Sequence, residues 1–276
     1  MFTSESIVKS TGSVLLSKTY SYLAGSGGTN ASTHFIGSVA YSDNTTYSYS
    51  YDAVGNITAI KKNGTTIRSY VYDELNQLVR ENNHELLQYV CYTYDHSGNI
   101  QSKTSHYWAG SVIEETTYTY GNTQWGDLLT NYNGTAISYD ASGNPLNWRN
   151  VAILNWQGRR LNSMALDSGY IHGLDFKYNA DGIRTQKSYF DHSTANMYSV
   201  SYTLDGTKIL AQTYKHSTTG ETYTVKFFYD ANDAPIAMEY DGNYYYYRTI
   251  IQGDIEGIYN SNGTLVVSYS YDAWGN

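Results

Sequence analysis

Residues 269–276 read Tyr-Ser-Tyr-Asp-Ala-Trp-Gly-Asn, and residues 49–56 read Tyr-Ser-Tyr-Asp-Ala-Val-Gly-Asn. Seven of the eight positions agree, and only Val54 and Trp274 differ. Self-similarity of this kind marks a repeat architecture and outranks local propensity in deciding the fold. The core of the octet recurs at Tyr51-Asp52 with Gly55-Asn56, at Tyr72-Asp73, at Tyr94-Asp95 with Gly98-Asn99, and at Tyr139-Asp140 with Gly143-Asn144. Weaker copies stand at Tyr178-Asn179 with Gly182, at Tyr229-Asp230 and at Tyr259-Asn260 with Gly263, before the last copy at Tyr271-Asp272 with Trp274-Gly275. Tyr51 to Tyr72 is 21 residues and Tyr72 to Tyr94 is 22, whereas Tyr94 to Tyr139 is 45, so a degenerate unit is expected around Tyr118-Thr119-Tyr120-Gly121-Asn122.

One unit reads as a β-hairpin. Tyr47, Tyr49 and Tyr51 alternate with Ser48 and Ser50 at the period of two that puts alternate side chains on one face of a strand. Asp52 is placed to accept backbone N–H groups two residues on, and Gly55 supplies the positive φ of a short loop. Ile57-Thr58-Ala59-Ile60 resumes as the return strand, and Asn63-Gly64 marks the next reversal. The fold class expected is therefore all-β, with repeated antiparallel hairpins laid into a long curling sheet. The tyrosines at 49, 51, 70, 72, 92 and 94 are expected to line one face with neighbouring rings in cross-strand contact.

Composition agrees. The chain has 32 Tyr among 276 residues and only 2 Pro, so aromatic packing comes with a polar tip and nearly every N–H is free for a ladder. A net charge of −8 with no basic run longer than two residues argues against a nucleic-acid partner. No apolar run approaches the roughly 20 residues that span a bilayer, and the N-terminus shows no signal-peptide pattern. The single Cys91 excludes an internal disulfide and reads as a strand residue; the seven histidines show no metal-ligand spacing. No cofactor is expected.

The repeated carboxylates Asp52, Asp73, Asp95, Asp140, Asp230 and Asp272 admit a calcium or sugar-site reading. Calcium loops need several oxygens within a few residues, and here one Asp is followed by Gly-Asn, so turn capping is the favoured role. Trp125 and Trp148 are the candidates for sugar-stacking platforms, and no constellation of nucleophile and base stands out.

The Tyr-Asp-x-x-Gly-Asn unit at about 22-residue spacing resembles the YD repeat of RHS proteins, a group that includes bacterial polymorphic toxins, wall-associated proteins and toxin-complex C components. Tyr244-Tyr245-Tyr246-Tyr247-Arg248, Gln252-Gly253-Asp254-Ile255 and the final octet are similar to the opening of the RHS-associated core, and Trp156-Gln157-Gly158-Arg159-Arg160-Leu161 to a variant unit. The resemblance implies a non-catalytic β-shell, secreted or at the bacterial cell surface, that encloses a C-terminal toxin domain in cis. The alternative is an adhesive protein binding a cell-surface glycan or receptor. On this reading residues 1–46 are a weakly repetitive β segment, 47–243 the YD-repeat sheet and 244–276 the start of the core. The chain is expected to be a fragment of the shell, with edge strands through which it self-associates.

Overall fold

The computed structural model describes residues 4–8, 12–26, 31–149, 153–166, 172–194 and 196–275. The Met1-Phe2-Thr3 start and Asn276, the last residue of the second octet, lie outside them. The described residues are all-β, without helix. They form two large antiparallel sheets, of twelve and eleven strands, whose strand order is the order of the sequence. That order is what hairpins joined end to end must produce, because each short turn places the next strand beside the last.

The chain divides into two compact units, residues 1–118 with 248–276, and residues 119–247. In the first unit, cross-strand pairing fixes which residues share a face. Val39 pairs with Tyr47, Tyr49 with Ile60, Ile60 with Arg68, Tyr70 with Glu81, Glu81 with Val90, and Tyr92 with Lys103. These residues and their i ± 2 neighbours therefore lie on one face. Val39, Tyr41, Tyr47, Tyr49 and Ile60 make its buried cluster, with Tyr20, Ile36, Tyr51, Ile57, Ile67, Tyr70 and Ile251 packed against it. The expected tyrosine ladder is corrected on one point. Tyr49, Tyr70 and Tyr92 share a face, but their direct cross-strand neighbours are Ile60, Glu81 and Lys103, because a return strand lies between successive motif strands. Close ring stacking occurs at other positions: Tyr89 on His106 at 4.6 Å in the first unit, and Tyr214 on Tyr223 at 4.6 Å in the second.

The turn that ends each motif strand is the same object each time. Asp52 Oδ1 accepts the N–H groups of Val54 and Asn56, and Oδ2 accepts the Asn56 side-chain amide. Asp95 and Asp140 repeat all three bonds with Ser97 and Asn99 and with Ser142 and Asn144. Asp73, Asp230 and Asn260 repeat the two backbone bonds. The Asn99 and Asn144 side chains, followed by the backbone donors, hold Asp95 and Asp140 below the usual carboxylate range. Where the motif glycine is replaced, Asn76 and Asp233 occupy the left-handed region at φ 61° and 64°, as short polar side chains tolerate.

The second unit contains the strands Ile153–Gln157 to Pro235–Tyr240 in unbroken antiparallel succession. The degenerate unit expected near residues 118–122 takes the form of a long connection, closed by the Thr130 N–H on the Thr119 carbonyl. The strand Val112–Thr119 ends there, and an irregular connection runs to the next strand, Asn131–Tyr132. Asn122 turns this connection by accepting the N–H groups of Gln124 and Trp125, and Gly121 donates to Thr130 Oγ1. Asn122 thus supplies the acceptor that the motif aspartate supplies elsewhere, in a connection longer than a tight reversal.

Candidate functional site

Two features use side chains beyond what a generic sheet requires: a tyrosine clasp repeated along both units, and a charged seam in the first unit. The clasp starts with a bulge. Pairing slips by one residue at Ser50/Tyr51, Val71/Tyr72, Thr93/Tyr94, Lys177/Tyr178 and Phe228/Tyr229, each time immediately before the motif tyrosine. A bulge kinks the strand and re-aims the side chain. The hydroxyl then donates to a backbone carbonyl of the preceding unit: Tyr51 to Ile36, Tyr72 to Ile57, Tyr94 to Leu78, Tyr139 to Leu129, Tyr178 to Leu161, Tyr229 to Ile209 and Tyr271 to Ile255. This explains why the repeat writes Tyr and not Phe. Burial pushes the hydroxyls of Tyr51, Tyr72, Tyr94, Tyr139, Tyr229 and Tyr271 above the ordinary phenol range, so they remain donors. Tyr72→Phe should lower stability by about 1 kcal/mol, the usual net value of one such bond. Tyr107→Phe, at an exposed ring, should stay within about 0.5 kcal/mol of wild type. Urea midpoints of the two variants check this, and equal midpoints would remove the clasp from the energetics.

The seam lies where residues 248–275 meet the tyrosine face, beside a cleft of about 790 Å³ lined by Tyr47, Tyr49, Arg68, Tyr70, Arg248 and Glu256 among others. At one end, Arg248 is 8% exposed and its guanidinium lies 5.1 Å from the Tyr41 ring centroid and 5.0 Å from that of Tyr259. Its Nη1 donates to Asp43, and its Nε stands 2.5 Å from Glu256 Oε1 as an ion pair outside hydrogen-bond geometry. Tyr47 donates to the other oxygen of Glu256. Burial works against the Arg248 charge, but Glu256, Tyr259 and Asp43 outweigh it and raise its affinity for the proton. Burial likewise raises Tyr259, pushed up to about 12.

At the other end, Arg68 is 6% exposed and fully engaged: Nη1 donates to Ile67 O, Asn83 Oδ1 and Glu85, and Nη2 to Ser270 Oγ at 2.6 Å. Glu81, 3% exposed, accepts the backbone N–H of Ala273 at 2.9 Å. Lys103 Nζ pairs with Asp272 at 3.1 Å, and the Trp274 ring meets the Tyr92 ring edge-on at 5.9 Å. Burial, then the Asp272 charge, push Glu81 above its ordinary 4.5, against the Ala273 N–H, Arg68 and Lys103. A carboxyl raised on folding contributes stability that is complete below 4.5 and is lost as pH rises through the folded value. Glu81→Gln keeps an acceptor for Ala273 and cannot ionise. Its urea midpoint should therefore gain on wild type as pH rises from 4.5 and level off above; a pH-independent difference would show that Glu81 pays no burial cost.

Of the residues singled out from sequence, the structure brings Asp272 and Trp274 into the seam, while Tyr271 clasps Ile255 and Gly275 takes φ 79°. The motif tyrosines Tyr51, Tyr72, Tyr94, Tyr139, Tyr178 and Tyr229 form the clasp. The motif Asp, Gly and Asn residues shape the turns, with the Asn56 and Asn144 amides also reaching Asn76 Oδ1 and Gly158 O of the following unit. The Trp125 ring covers Gly143 while remaining half exposed, and Trp148 leans on Tyr132 at 5.1 Å. Among the described residues no group of three His, Cys, Asp or Glu could hold a metal ion. Sequence reasoning missed Arg68, Glu81, Lys103, Arg248 and Glu256. The available signal was a charge at a strand position where the alternation calls for an aromatic or aliphatic side chain.

A sheet extended hairpin by hairpin, with a side-chain clasp per unit, defines a β-wall repeat protein. No protein-family profile matches the chain. It is 28% identical over 206 residues to the tRNA3(Ser)-specific nuclease WapA of Bacillus spizizenii and 30% identical over 208 residues to the tRNA nuclease WapA of Bacillus subtilis. Those matches take in 74% of this chain, which spans about 8% of the length of either relative. In solved structures, 98% of the chain superposes on 15% of a chain in the Photorhabdus luminescens Tc holotoxin pore with a TM-score of 0.74 and 18% identity. It superposes equally fully on 15% of a chain of TcdB2-TccC3 without its hypervariable C-terminal region, with a TM-score of 0.70 and 18% identity. The chain is an RHS/YD-repeat protein.

Proposed function

We propose that this chain is a non-catalytic wall segment of a secreted or cell-surface shell, and that the shell encloses a C-terminal toxin or effector domain carried in cis. The observation that carries this reading is the repetition itself. The same Asx turn and tyrosine clasp recur along the chain, and the charges of the seam are engaged with one another or with backbone, as in a wall built for continuity. The relatives named as tRNA nucleases suggest the kind of cargo, an enzyme acting on RNA. The wall's own composition, with a net charge of −8, is unsuited to holding nucleic acid. Residues 47–243 would then be wall and 244–276 the start of the segment that closes it.

The test is limited proteolysis of the protein that carries this chain together with its effector. The effector should be protected with the wild-type wall and cleaved when Tyr72→Phe, Tyr94→Phe and Asp95→Ala loosen two successive units. Equal cleavage in both would reject enclosure. For the adhesive alternative, glycan-array binding that is lost in Trp125→Ala or Trp148→Ala is the result that would favour it.

A further inference from the structure

The final copy of the motif behaves unlike the others. Tyr51, Tyr72 and Tyr94 end paired strands, whereas the ladder of the strand Leu265–Ser268 closes with the Tyr269 N–H on the Glu256 carbonyl and residues 270–275 continue outside it. They keep the motif's own turn, with Trp274 N–H on Asp272 Oδ1 and Gly275 N–H on the Asp272 carbonyl. This preformed turn rests on the face of three strands, Thr65–Tyr72, Leu78–Asn83 and Gln88–Tyr94, and on Lys103 of a fourth, Ile100–Tyr107. On that face four contacts hold it, Arg68 on Ser270, Glu81 on the Ala273 N–H, Lys103 on Asp272 and Tyr92 on Trp274, and beside the face the Tyr271 hydroxyl donates to Ile255 O.

We propose that the face presented by Arg68, Glu81, Tyr92 and Lys103 is a recognition site for the motif in its strand-free form, occupied by Ser270–Gly275 of the same chain, and that it selects tryptophan at position 274. Glu81 binds backbone and would accept any residue at 273. Arg68 and Lys103 read Ser270 and Asp272. Only Tyr92 reads the position at which the octets differ, and the other copies carry Val54, Leu75, Ser97, Ser142, Asp181, Asn232 and Asn262 there. Val54 is 69% exposed in its own turn and makes no comparable contact, so the motif does not need a large side chain at that position to fold. Trp274 remains 52% exposed while its ring meets Tyr92, which is the geometry of a residue docked on a surface and not sunk in a core.

The strap can also leave without dismantling what it rests on. The strand Leu78–Asn83, which carries Glu81, is paired on both sides by its own ladder. Beyond Tyr269 the described residues have no ladder bond, and a segment held to its neighbours through side chains belongs to the low-stability end of a structure and opens locally. The proposal goes beyond the wall function: it makes residues 270–275 a detachable element with a dedicated receptor face, whatever the wall encloses.

Hydrogen exchange on the full chain tests it. In Trp274→Ala and in Lys103→Met, exchange across residues 270–275 should quicken about tenfold, the loss of one charge-assisted bond or one aromatic pair, with the ladders of 78–83 and 88–94 unchanged. A labelled peptide Tyr-Ser-Tyr-Asp-Ala-Trp-Gly should then bind the Trp274→Ala chain saturably, the same peptide with Val in place of Trp at least about tenfold more weakly. Adding Glu81→Ala should abolish binding of both. Unchanged exchange in both single variants, or equal binding of the two peptides, would overturn the proposal. Lys103→Met leaves Trp274 in place, so it decides the exchange result if Trp274→Ala fails to fold.

Discussion

Arg248→Ala should lower the stability of the chain by about 3–5 kcal/mol, the usual cost of removing one partner from a buried ion pair. The guanidinium lies beside the rings of Tyr41 and Tyr259, and its removal leaves the mostly buried Glu256 carboxylate without its ion-pair partner. Most of the loss comes from the unpaired carboxylate and not from the pair's intrinsic strength, since desolvation offsets much of the Coulombic attraction. Arg248→Met combined with Glu256→Gln should therefore recover the larger part of the loss. Chemical denaturation of the three proteins checks this. A loss under about 1 kcal/mol for Arg248→Ala, the range of an exposed pair, would mean that the seam is solvated.

Gly143→Ala should cost about 2–5 kcal/mol, the left-handed strain of about 1–2 kcal/mol plus overpacking of about 1–3 kcal/mol. Gly64→Ala is the control. The two glycines have nearly the same φ, 79° and 82°, but a Cβ at 143 would lie 2.7 Å from Trp125 Cζ3, whereas nothing stands within 4 Å at 64. Gly64→Ala should show the backbone term alone. Adding Trp125→Ala to Gly143→Ala should bring the glycine penalty down to the Gly64 level in a double-mutant cycle. A penalty unchanged by removing the ring would assign it all to φ. The same close approach recurs where the Phe35 ring covers Gly55 and Arg160 covers Gly182, so the motif glycine serves both the turn and the contact with the preceding unit.

That double duty separates what was legible in the sequence from what was not. The Tyr-Asp-x-x-Gly-Asn frame shows its Asx turn directly, because Asp52 bonds to residues two and four positions away, within reach of any local reading. Strand alternation at Tyr47, Tyr49 and Tyr51 is equally local, and with the repeat it leads to an all-β chain of successive hairpins. The register of the tyrosines is less local. Pairing places Ile60 and Glu81 beside Tyr49 and Tyr70, and a pattern read one motif at a time passes over the return strand. At 118–130 the length of the connection was not local either, since Tyr120-Gly121-Asn122 has the motif's letters without its aspartate and Asn122 takes over the turn.

By itself the sequence determined the repeat, its turn chemistry, the antiparallel order of the strands and the absence of a helical or disulfide-based alternative. All of these rest on bonds between residues fewer than about ten positions apart or on the period of two. Only the tertiary structure decided that Tyr51, Tyr72 and Tyr94 clasp the preceding unit, that Arg248 finds Asp43 and Glu256, and that Trp274 finds Tyr92. Residues 43 and 248, like 92 and 274, are brought together by the path of the whole sheet, and no local preference carries information across nearly two hundred residues. The difference between the two octets is the clearest instance: Val54 and Trp274 sit in the same eight-residue frame, and only the surface beneath the second copy accounts for the larger side chain.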